Sequence, residues 1–279
     1  MITMRGNAPA RDQTLAATGS RGEAPRLTRA RRIWLAIGVP VCLVLVGWAG
    51  FSLVGLAGQG QFKVSHDIPA TTGRVTVNFS SGTILLREVA GDQAKLAGTA
   101  HYSLVRPPFT TRVTTAGTDF GYKCNLPVGS CYLNATVSVP RETATSVHTS
   151  GGNAAAVGTT GDETLTTGGG NVSAERVSGD LTLNTDGGDI TATAITAARV
   201  RASSGGGNIM VVFTSVPTNV KVSTDGGGIT IVVPHGSTHY NLTEHTDGGT
   251  TSRRVPTDSS SPNVITATSG GGNISVSES

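Results

Sequence analysis

Three histidines and a glutamate lie close together in the segment PHGSTHYNLTEHTD, where they could act as metal ligands. They are His235, His239, His245 and Glu244, and the histidines follow one another at spacings of four and six residues. Such spacings could bring imidazole groups together on one loop. A solvated loop without a bound ion is the alternative, and we favour it for this segment.

Three aspartates are the second candidate for chemistry, because they recur at one position of a repeat. Asp186, Asp225 and Asp247 each directly precede a glycine pair, and stacked aspartates could bind calcium. The segment TDGGDIT, however, does not match the calcium-binding repeat G-G-x-G-x-D. Aspartate also favours turns, because its carboxylate accepts hydrogen bonds from nearby backbone N–H groups. We therefore predict turns here, and we predict neither a metal nor a cofactor for the chain.

Motifs of known enzyme classes do not occur in a suitable context. A phosphate-binding loop needs a following helix or the sequence Gly-Lys-Ser/Thr, and a hydrolase elbow reads G-x-S-x-G. A glycan hydrolase would need paired carboxylates at a defined separation. Sugar sites also commonly contain aromatic platforms, but from residue 133 onward only Phe213 and Tyr240 are aromatic. The sequence predicts a non-catalytic protein, with a glycan-active β-helix hydrolase or lyase as the alternative.

Two cysteines and five aromatic residues mark a separate segment between residues 102 and 132. Cys124 and Cys131, in KCNLPVGSCY, form an even pair that predicts a short disulfide loop on the oxidising side of a membrane. A metal site is the alternative, and it would need more thiols or nearby histidines. The aromatic residues form either the core of an N-terminal cap or a recognition patch. They are Tyr102, Phe109, Phe120, Tyr122 and Tyr132.

Glycine pairs return at short intervals after residue 148 and organise that part of the chain, which includes the histidines and the aspartates. Their first members are separated by 18, 18, 19, 20, 22 and 23 residues. A polar or small residue follows each pair, and an aliphatic residue such as Val172 or Ile190 usually comes next. We predict structural turns that need glycine for a positive φ or for a close backbone approach. The glycines are Gly151, Gly152, Gly169, Gly170, Gly187, Gly188, Gly206, Gly207, Gly226, Gly227, Gly248, Gly249, Gly271 and Gly272.

A second short strand appears midway through each period, as in LTL and NVKVST. Two strands and two corners per period predict an all-β chain, a β-solenoid of stacked rungs of about 18–23 residues. An antiparallel sandwich with glycine-rich hairpins is the alternative fold. The longer periods at PHGSTHYNLTEHT and SRRVPTDSSSPN are interpreted as loop excursions on shared rungs.

The N-terminal part of the chain has the composition of a membrane anchor. Residues 1–32 hold seven arginines and two acidic residues (7 − 2 = +5), and the rest of the chain carries 14 − 16 = −2. Residues 33–57 contain no charge and are long enough for one membrane-spanning helix. The arginines predict that the N-terminal tail is cytoplasmic and that the C-terminal domain is extracellular. No nucleic-acid partner is predicted, because the positive charge belongs to the tail.

Four regions follow from these patterns. We expect a disordered basic tail at 1–32, a transmembrane helix at 33–57, a linker at 58–72 and an extracytoplasmic β-solenoid domain at 73–279. Within that domain, residues 73–148 are the less regular, cap-like part and residues 149–279 carry the glycine repeats.

The repeat style resembles the bacterial "putative adhesin" family, which comprises envelope proteins with a domain of unknown function. The segments that carry the resemblance are VSVPRETATSVHTSGGN, VPTNVKVSTDGGGITIVV and ATSGGGNISV. The resemblance implies a β-solenoid outside the membrane and no defined ligand. We expect a single-pass cell-membrane protein that acts in adhesion, binding or envelope sensing, with an envelope protein or a cell-surface ligand as its partner.

Overall fold

The structure is a computed structural model that describes residues 38–46, 59–68, 73–103, 105–115, 117–124 and 130–279. Residues 38–46 form the helix α1. Within these ranges no helix combines the length and the apolar character that crossing a membrane requires. The predicted tail at 1–32 and most of the predicted span at 33–57 lie outside the described residues. The predicted linker at 58–72 is wrong for residues 59–68, which form a paired strand of the β domain.

The rest of the described chain consists of short strands joined by turns. In chain order the strands are β1 (Gln59–Ile68), β2 (Arg74–Phe79), β3 (Ile84–Glu88), β4 (Ala94–Ser103), β5 (Phe109–Thr114), β6 (Gly117–Tyr122), β7 (Cys131–Val139), β8 (Thr145–Thr149), β9 (Ala154–Val157), β10 (Glu163–Thr167), β11 (Val172–Glu175), β12 (Leu181–Thr185), β13 (Ile190–Ile195), β14 (Arg199–Ser204), β15 (Ile209–Phe213), β16 (Asn219–Thr224), β17 (Ile229–Val233), β18 (Asn241–Thr246), β19 (Thr251–Arg254), β20 (Val264–Ser269) and β21 (Ile274–Glu278).

The strands form two sheets with the core between them. Sheet A has the order β1-β4-β7-β3-β9-β11-β13-β15-β17-β21-β19, and sheet B has the order β18-β20-β16-β14-β12-β10-β8-β2-β6-β5. Pairing is parallel except at one end, where β1, β4 and β7 are antiparallel in sheet A and β5 and β6 are antiparallel in sheet B. From β8 onward the chain alternates between the two sheets, so each pair of consecutive strands makes one rung.

Alternation of apolar and polar residues explains why the strands form and which face they bury. Leu165, Leu183, Ala202 and Val222 lie in register on neighbouring strands of sheet B, and each is at most 2% exposed. Burying one such leucine or valine contributes about 1.5–3 kcal/mol. The all-β prediction is confirmed, and the parallel stacking agrees with a β-solenoid. The antiparallel sandwich is wrong for the repeat region, in which every strand pair is parallel.

The order of the rungs differs from their order in the sequence at both ends of the stack. Strands β20 and β21 lie between the β16–β17 rung and the β18–β19 rung. At the other end, β2 and β3 lie between the β6–β7 rung and the β8–β9 rung. The prediction that the two longest periods contain loop excursions on shared rungs is therefore wrong for residues 241–246 and 251–254, which form strands. Part of each excursion belongs to β18 or β19, which together form the outermost rung.

An ion pair closes the apolar core at the outermost rung. Glu244 lies in register with buried Ala267, and Arg253 lies in register with buried Val276. The Glu244 side chain is only 1% exposed, and its Oε2 lies 2.8 Å from Arg253 Nη2. Terminal rungs of repeat proteins need a polar end, because no further rung covers them. Glu244 lies in sheet B and Arg253 lies in sheet A, so the ion pair gives both sheets a polar end.

Buried hydroxyl groups connect the rungs at the corner before each glycine pair. The Thr185 hydroxyl donates to Gly170 O at 2.8 Å in one neighbouring rung and accepts from Gly188 N at 3.0 Å in its own rung. The same two bonds are made by Thr167, Ser204, Thr224, Thr246 and Ser269. This hydroxyl column satisfies buried backbone groups that the strands themselves leave unpaired.

Removal of one hydroxyl from this column should destabilise the fold measurably. In Thr185→Val the shape is kept, but Gly188 N and Gly170 O lose their partner, so we expect a loss of about 2 kcal/mol. For a domain of this size that corresponds to a fall in Tm of about 4–8 °C, measurable by circular dichroism. Thr185→Ser is the matched control, because Ser204 and Ser269 already make these bonds. An equal loss in both variants would contradict the role of the hydroxyl.

The two glycines of each pair have different roles. The second glycine of every pair stacks on the backbone of the neighbouring rung, and a Cβ there would lie closer than 3.0 Å to a carbonyl group. This glycine column consists of Gly82, Gly152, Gly170, Gly188, Gly207, Gly227, Gly272 and Gly249. The first glycines at Gly151, Gly169 and Gly187 have nothing within 4 Å of such a Cβ. None of the paired glycines has a positive φ. The predicted close approach is therefore confirmed for the second position only, and the predicted positive φ is wrong.

Candidate functional site

The predicted histidine cluster does not assemble into a metal site. His235 Nδ1 lies 3.0 Å from Glu278 Oε2, and His245 Nε2 lies 3.0 Å from Asp247 Oδ1. Glu244 points into the core while its neighbour His245 is exposed, because successive residues of a strand face opposite sides. Within the described ranges, no group of three or more His, Cys, Asp or Glu side chains could hold a metal ion.

The predicted aspartates occupy one corner but are not adjacent in the stack. The backbone order at this corner is Asp186, Gly205, Asp225, Gly270 and Asp247, each in the rung next to the one before. Neighbouring strands are about 4.8 Å apart, so aspartates in alternate rungs are about 9.6 Å apart along the stack. Calcium ligands must all lie within about 2.6 Å of the ion. The aspartates are therefore too far apart to bind one calcium ion together. Their position at the corner agrees with the predicted role in turns.

The polar residue after each glycine pair caps the corner, as the sequence suggests. The Asn153 side-chain oxygen accepts from Asn171 N at 2.9 Å, and the Asn171 side-chain oxygen accepts from Asp189 N at 3.0 Å. Asp189 and Asn208 continue the same series into the next two rungs. These polar side chains are used by the fold itself.

The two cysteines outside the apolar segment are joined, as predicted. Cys124 and Cys131 form a disulfide bond with their Cα atoms 5.9 Å apart. Cys131 begins β7, and Cys124 follows β6, so the bond links the ends of neighbouring strands in different sheets. Because both sulfur atoms take part in this bond, the metal-site alternative for the pair is wrong.

The five predicted aromatic residues divide into core and surface groups. Phe120 and Tyr122 are fully buried, and Tyr122 packs edge-on against Phe79 with ring centroids 6.1 Å apart. These two belong to the cap core, which is the first of the two alternatives, and they are too deeply buried to form a recognition patch. Tyr102 and Phe109 are half-buried, and Tyr132 is 39% exposed and stacks on His101.

A cleft beside the half-buried aromatic residues was not found from the sequence. It has a volume of about 470 Å³ and lies between the edge strand β1 and the segment that leads into β5. Arg106 Cζ lies 3.9 Å from the centroid of the Phe62 ring, and the rings of His66 and Phe109 stack at 4.9 Å. Its lining residues are Phe62, Lys63, Val64, Ser65, His66, Arg106, Pro107, Pro108 and Phe109. The lining therefore combines cations with aromatic rings and contains no carboxylate.

A buried carboxylate was also missed by the sequence analysis. Glu163 occupies an inward position between Thr145 and Leu181 in sheet B and is 3% exposed. Neither of its carboxylate oxygens has a hydrogen-bond partner among the described residues. Burial raises its pKa to about 7; the nearby Thr159 hydroxyl opposes this effect, and the charge of Glu88 adds to it. The Thr159 contact falls short of hydrogen-bond geometry, so burial dominates.

Paired carboxylates are absent from the lining of three clefts formed by the described residues. A second cleft, of about 420 Å³, contains one carboxylate, Asp189, and a third, of about 560 Å³, contains none. Glu163 is buried beneath sheet B and lines none of these three clefts. A glycoside hydrolase needs two carboxyl groups facing one cleft. These clefts offer binding surfaces rather than such a pair.

The geometry defines a stack of parallel rungs in two sheets with one irregular, partly antiparallel end. No protein-family model matches the chain. No curated protein matches it in sequence either.

Several solved structures are similar to this chain over most of its length, and their names call them putative adhesins. A putative adhesin from Bacteroides fragilis has 12% identity and a TM-score of 0.43, with 77% of this chain and 97% of that chain covered. A putative adhesin from Parabacteroides merdae has 14% identity and a TM-score of 0.37, with 80% and 97% covered. A putative cell adhesion protein from Clostridium sporogenes has 12% identity and a TM-score of 0.36, with 79% and 100% covered.

These names match the family resemblance that the sequence indicates. Contacts among the chain's own residues carry the function proposed below.

Proposed function

We propose that this chain is a single-pass envelope protein that presents a non-catalytic β-solenoid outside the cell membrane for adhesion, binding or envelope sensing. The observation that carries the proposal is the use of polar residues in the repeat region. Hydroxyl, amide and carboxylate groups there bond to backbone of neighbouring rungs instead of converging on a cleft. The outer faces of the stacked rungs are therefore long and regular, and they are available for contact with a partner.

The sequence before the β domain supports its proposed placement in the cell envelope. Residues 33–57 are uncharged, and seven arginines precede them. An excess of arginine on one side of a span favours the cytoplasmic location of that side. The Cys124–Cys131 disulfide fits an oxidising compartment, which agrees with a domain outside the membrane.

Labelling of cells tests the proposed orientation. We expect an epitope tag after residue 279 to bind antibody on spheroplasts, and a tag before residue 1 to bind only after permeabilisation. The reverse pattern, or release of the chain from washed membranes, would contradict the anchor.

Incubation with envelope polysaccharides tests the non-catalytic role. We expect no new reducing ends and no unsaturated products after several hours with the chain at a concentration typical of enzyme assays. Cleavage that is lost on a single carboxylate substitution would establish the glycan-active enzyme instead.

A further inference from the structure

We propose that the cleft between β1 and residues 106–109 binds the phosphate of an anionic lipid headgroup and so docks the solenoid on its own membrane. The inference rests on the proposed membrane anchor. It is carried by the charge of the cleft, the apolar surface around it and its position in the chain.

The cations of the cleft are available to an anion. Lys63 and Arg106 are exposed, and neither takes part in any ion pair formed by the described residues. Arg106 is held over the Phe62 ring at 3.9 Å, which orients its guanidinium without neutralising it. A guanidinium presents a planar pair of donors that matches two phosphate oxygens. The nearest charged neighbour on β1, Asp67, pairs instead with Lys95 at 3.3 Å.

Apolar side chains lie in and beside this charged cleft. Val105, which directly precedes Arg106 in the sequence, is 58% exposed although it is a large aliphatic residue. Phe62 and Phe109 are half-buried at the cleft itself. Aromatic rings beside lysine and arginine are typical of surfaces that lie at the boundary between lipid headgroups and acyl chains. A soluble anion would not need the exposed Val105 side chain, whereas a membrane surface would cover it.

Few residues separate this cleft from the predicted span in the sequence. Strand β1 begins at Gln59, two residues after residue 57, where the predicted span ends. The five residues from residue 57 to Phe62 can extend to at most about 18 Å. The proposed anchor would therefore keep lipid headgroups at a high concentration around this cleft. Another exposed cation pair, Arg201 and Lys221, lies on the outer face of sheet B, far from β5 in the strand order. Neither residue takes part in a cation–ring contact among the described residues.

Hydrogen–deuterium exchange of the full chain in lipid nanodiscs tests the inference. We expect amides of residues 59–68 and 105–114 to exchange about 10-fold more slowly in phosphatidylglycerol than in phosphatidylcholine nanodiscs, because each cation near an anionic surface adds attraction. The double variant Lys63→Gln/Arg106→Gln should lose this difference. The control Arg201→Gln/Lys221→Gln removes the same charge elsewhere and should keep it. Both variants should show the same Tm as the parent.

The other outcomes each overturn a defined part of the inference. Equal exchange in the two lipids, with the chain retained in both, would overturn lipid docking and leave the anchor standing. Inorganic phosphate that protects the chain in phosphatidylcholine nanodiscs as fully as phosphatidylglycerol does would reassign the cleft to a soluble anion. Failure of the chain to remain in any nanodisc would overturn the anchor and the docking with it.

Discussion

Replacement of Gly188 by alanine is expected to lower the free energy of unfolding by about 3 kcal/mol, because the new methyl group would overlap the backbone of the next rung. An ideal Cβ on Gly188 lies closer than 3.0 Å to the carbonyl group of Gly170 and to the Asn171 side-chain oxygen. The backbone cannot give way locally, since each glycine of the column stacks on the next. In thermal unfolding this corresponds to a fall in Tm of about 6–12 °C.

The adjacent Gly187 provides a matched control within the same turn. A Cβ there has nothing within 4 Å, and its φ lies outside the left-handed region. Gly187→Ala should therefore change the free energy of unfolding by no more than about 0.5 kcal/mol. Equal destabilisation by the two alanines would show that the turn needs glycine for its backbone conformation, and would refute the packing explanation.

The second large effect is a fall in stability as pH rises, caused by Glu163. Its pKa is about 7 in the folded chain, against an ordinary value of 4.5. Below pH 4.5 both states carry the proton, so burial of this side chain has no pH-dependent cost. Between pH 4.5 and 7 the unfolded chain loses the proton while the folded chain keeps it. The free energy of unfolding should therefore fall by about 3 kcal/mol across this window and then level off.

Glu163→Gln separates this effect from other titrations. The amide cannot ionise, so the variant should show a flatter profile from pH 4.5 to 7 and should exceed the parent in stability at pH 8. Glu175→Gln, at an exposed ion pair with Arg176, should leave the profile unchanged. Urea unfolding at fixed pH values is the measurement, and a parent profile that is flat between pH 4.5 and 7 would contradict the assignment.

Glu88 does not obscure this window. Its pKa is lowered by hydrogen bonds from Thr160 and Arg141, which outweigh its partial desolvation. A lowered pKa contributes stability that is lost only as pH falls below the ordinary value. The two glutamates therefore act in opposite directions and in separate pH ranges.

The regular part of the fold could be predicted because its sequence pattern is local. The period-2 alternation in strands such as LTLNT determines which side chains face the core, and the glycine pairs mark the corners. A hydroxyl residue recurs two positions before each pair, and asparagine or aspartate follows five of the seven pairs. Such features depend only on neighbouring rungs about 18–20 residues away, so one period predicts the next.

The ends of the stack could not be predicted, because they depend on strand order. The 22- and 23-residue periods could each hold a loop, or they could hold a rung such as β18–β19 that lies beyond the next rung of the sequence, β20–β21. The sequence looks the same in both cases. The cleft was missed for the same reason, since Phe62 and Arg106 are 44 residues apart in the sequence (106 − 62) and meet only through the pairing of β1 with β4. Glu163 gave no signal either, because a glutamate in ETLTT is typical of the exposed first residue of a strand.

The insertion of β20–β21 has a consequence for biosynthesis. A ribosome delivers the chain in sequence order, so β18 and β19 emerge before β20 and β21. Among the described strands, β18 pairs only with β20, and β19 pairs only with β21. The rung β18–β19 therefore cannot dock when it is made and must wait for the two strands that follow it. Residues 241–278 should therefore join the finished rungs in one late, cooperative step. If the rungs were stacked in sequence order, each could dock as soon as it was made.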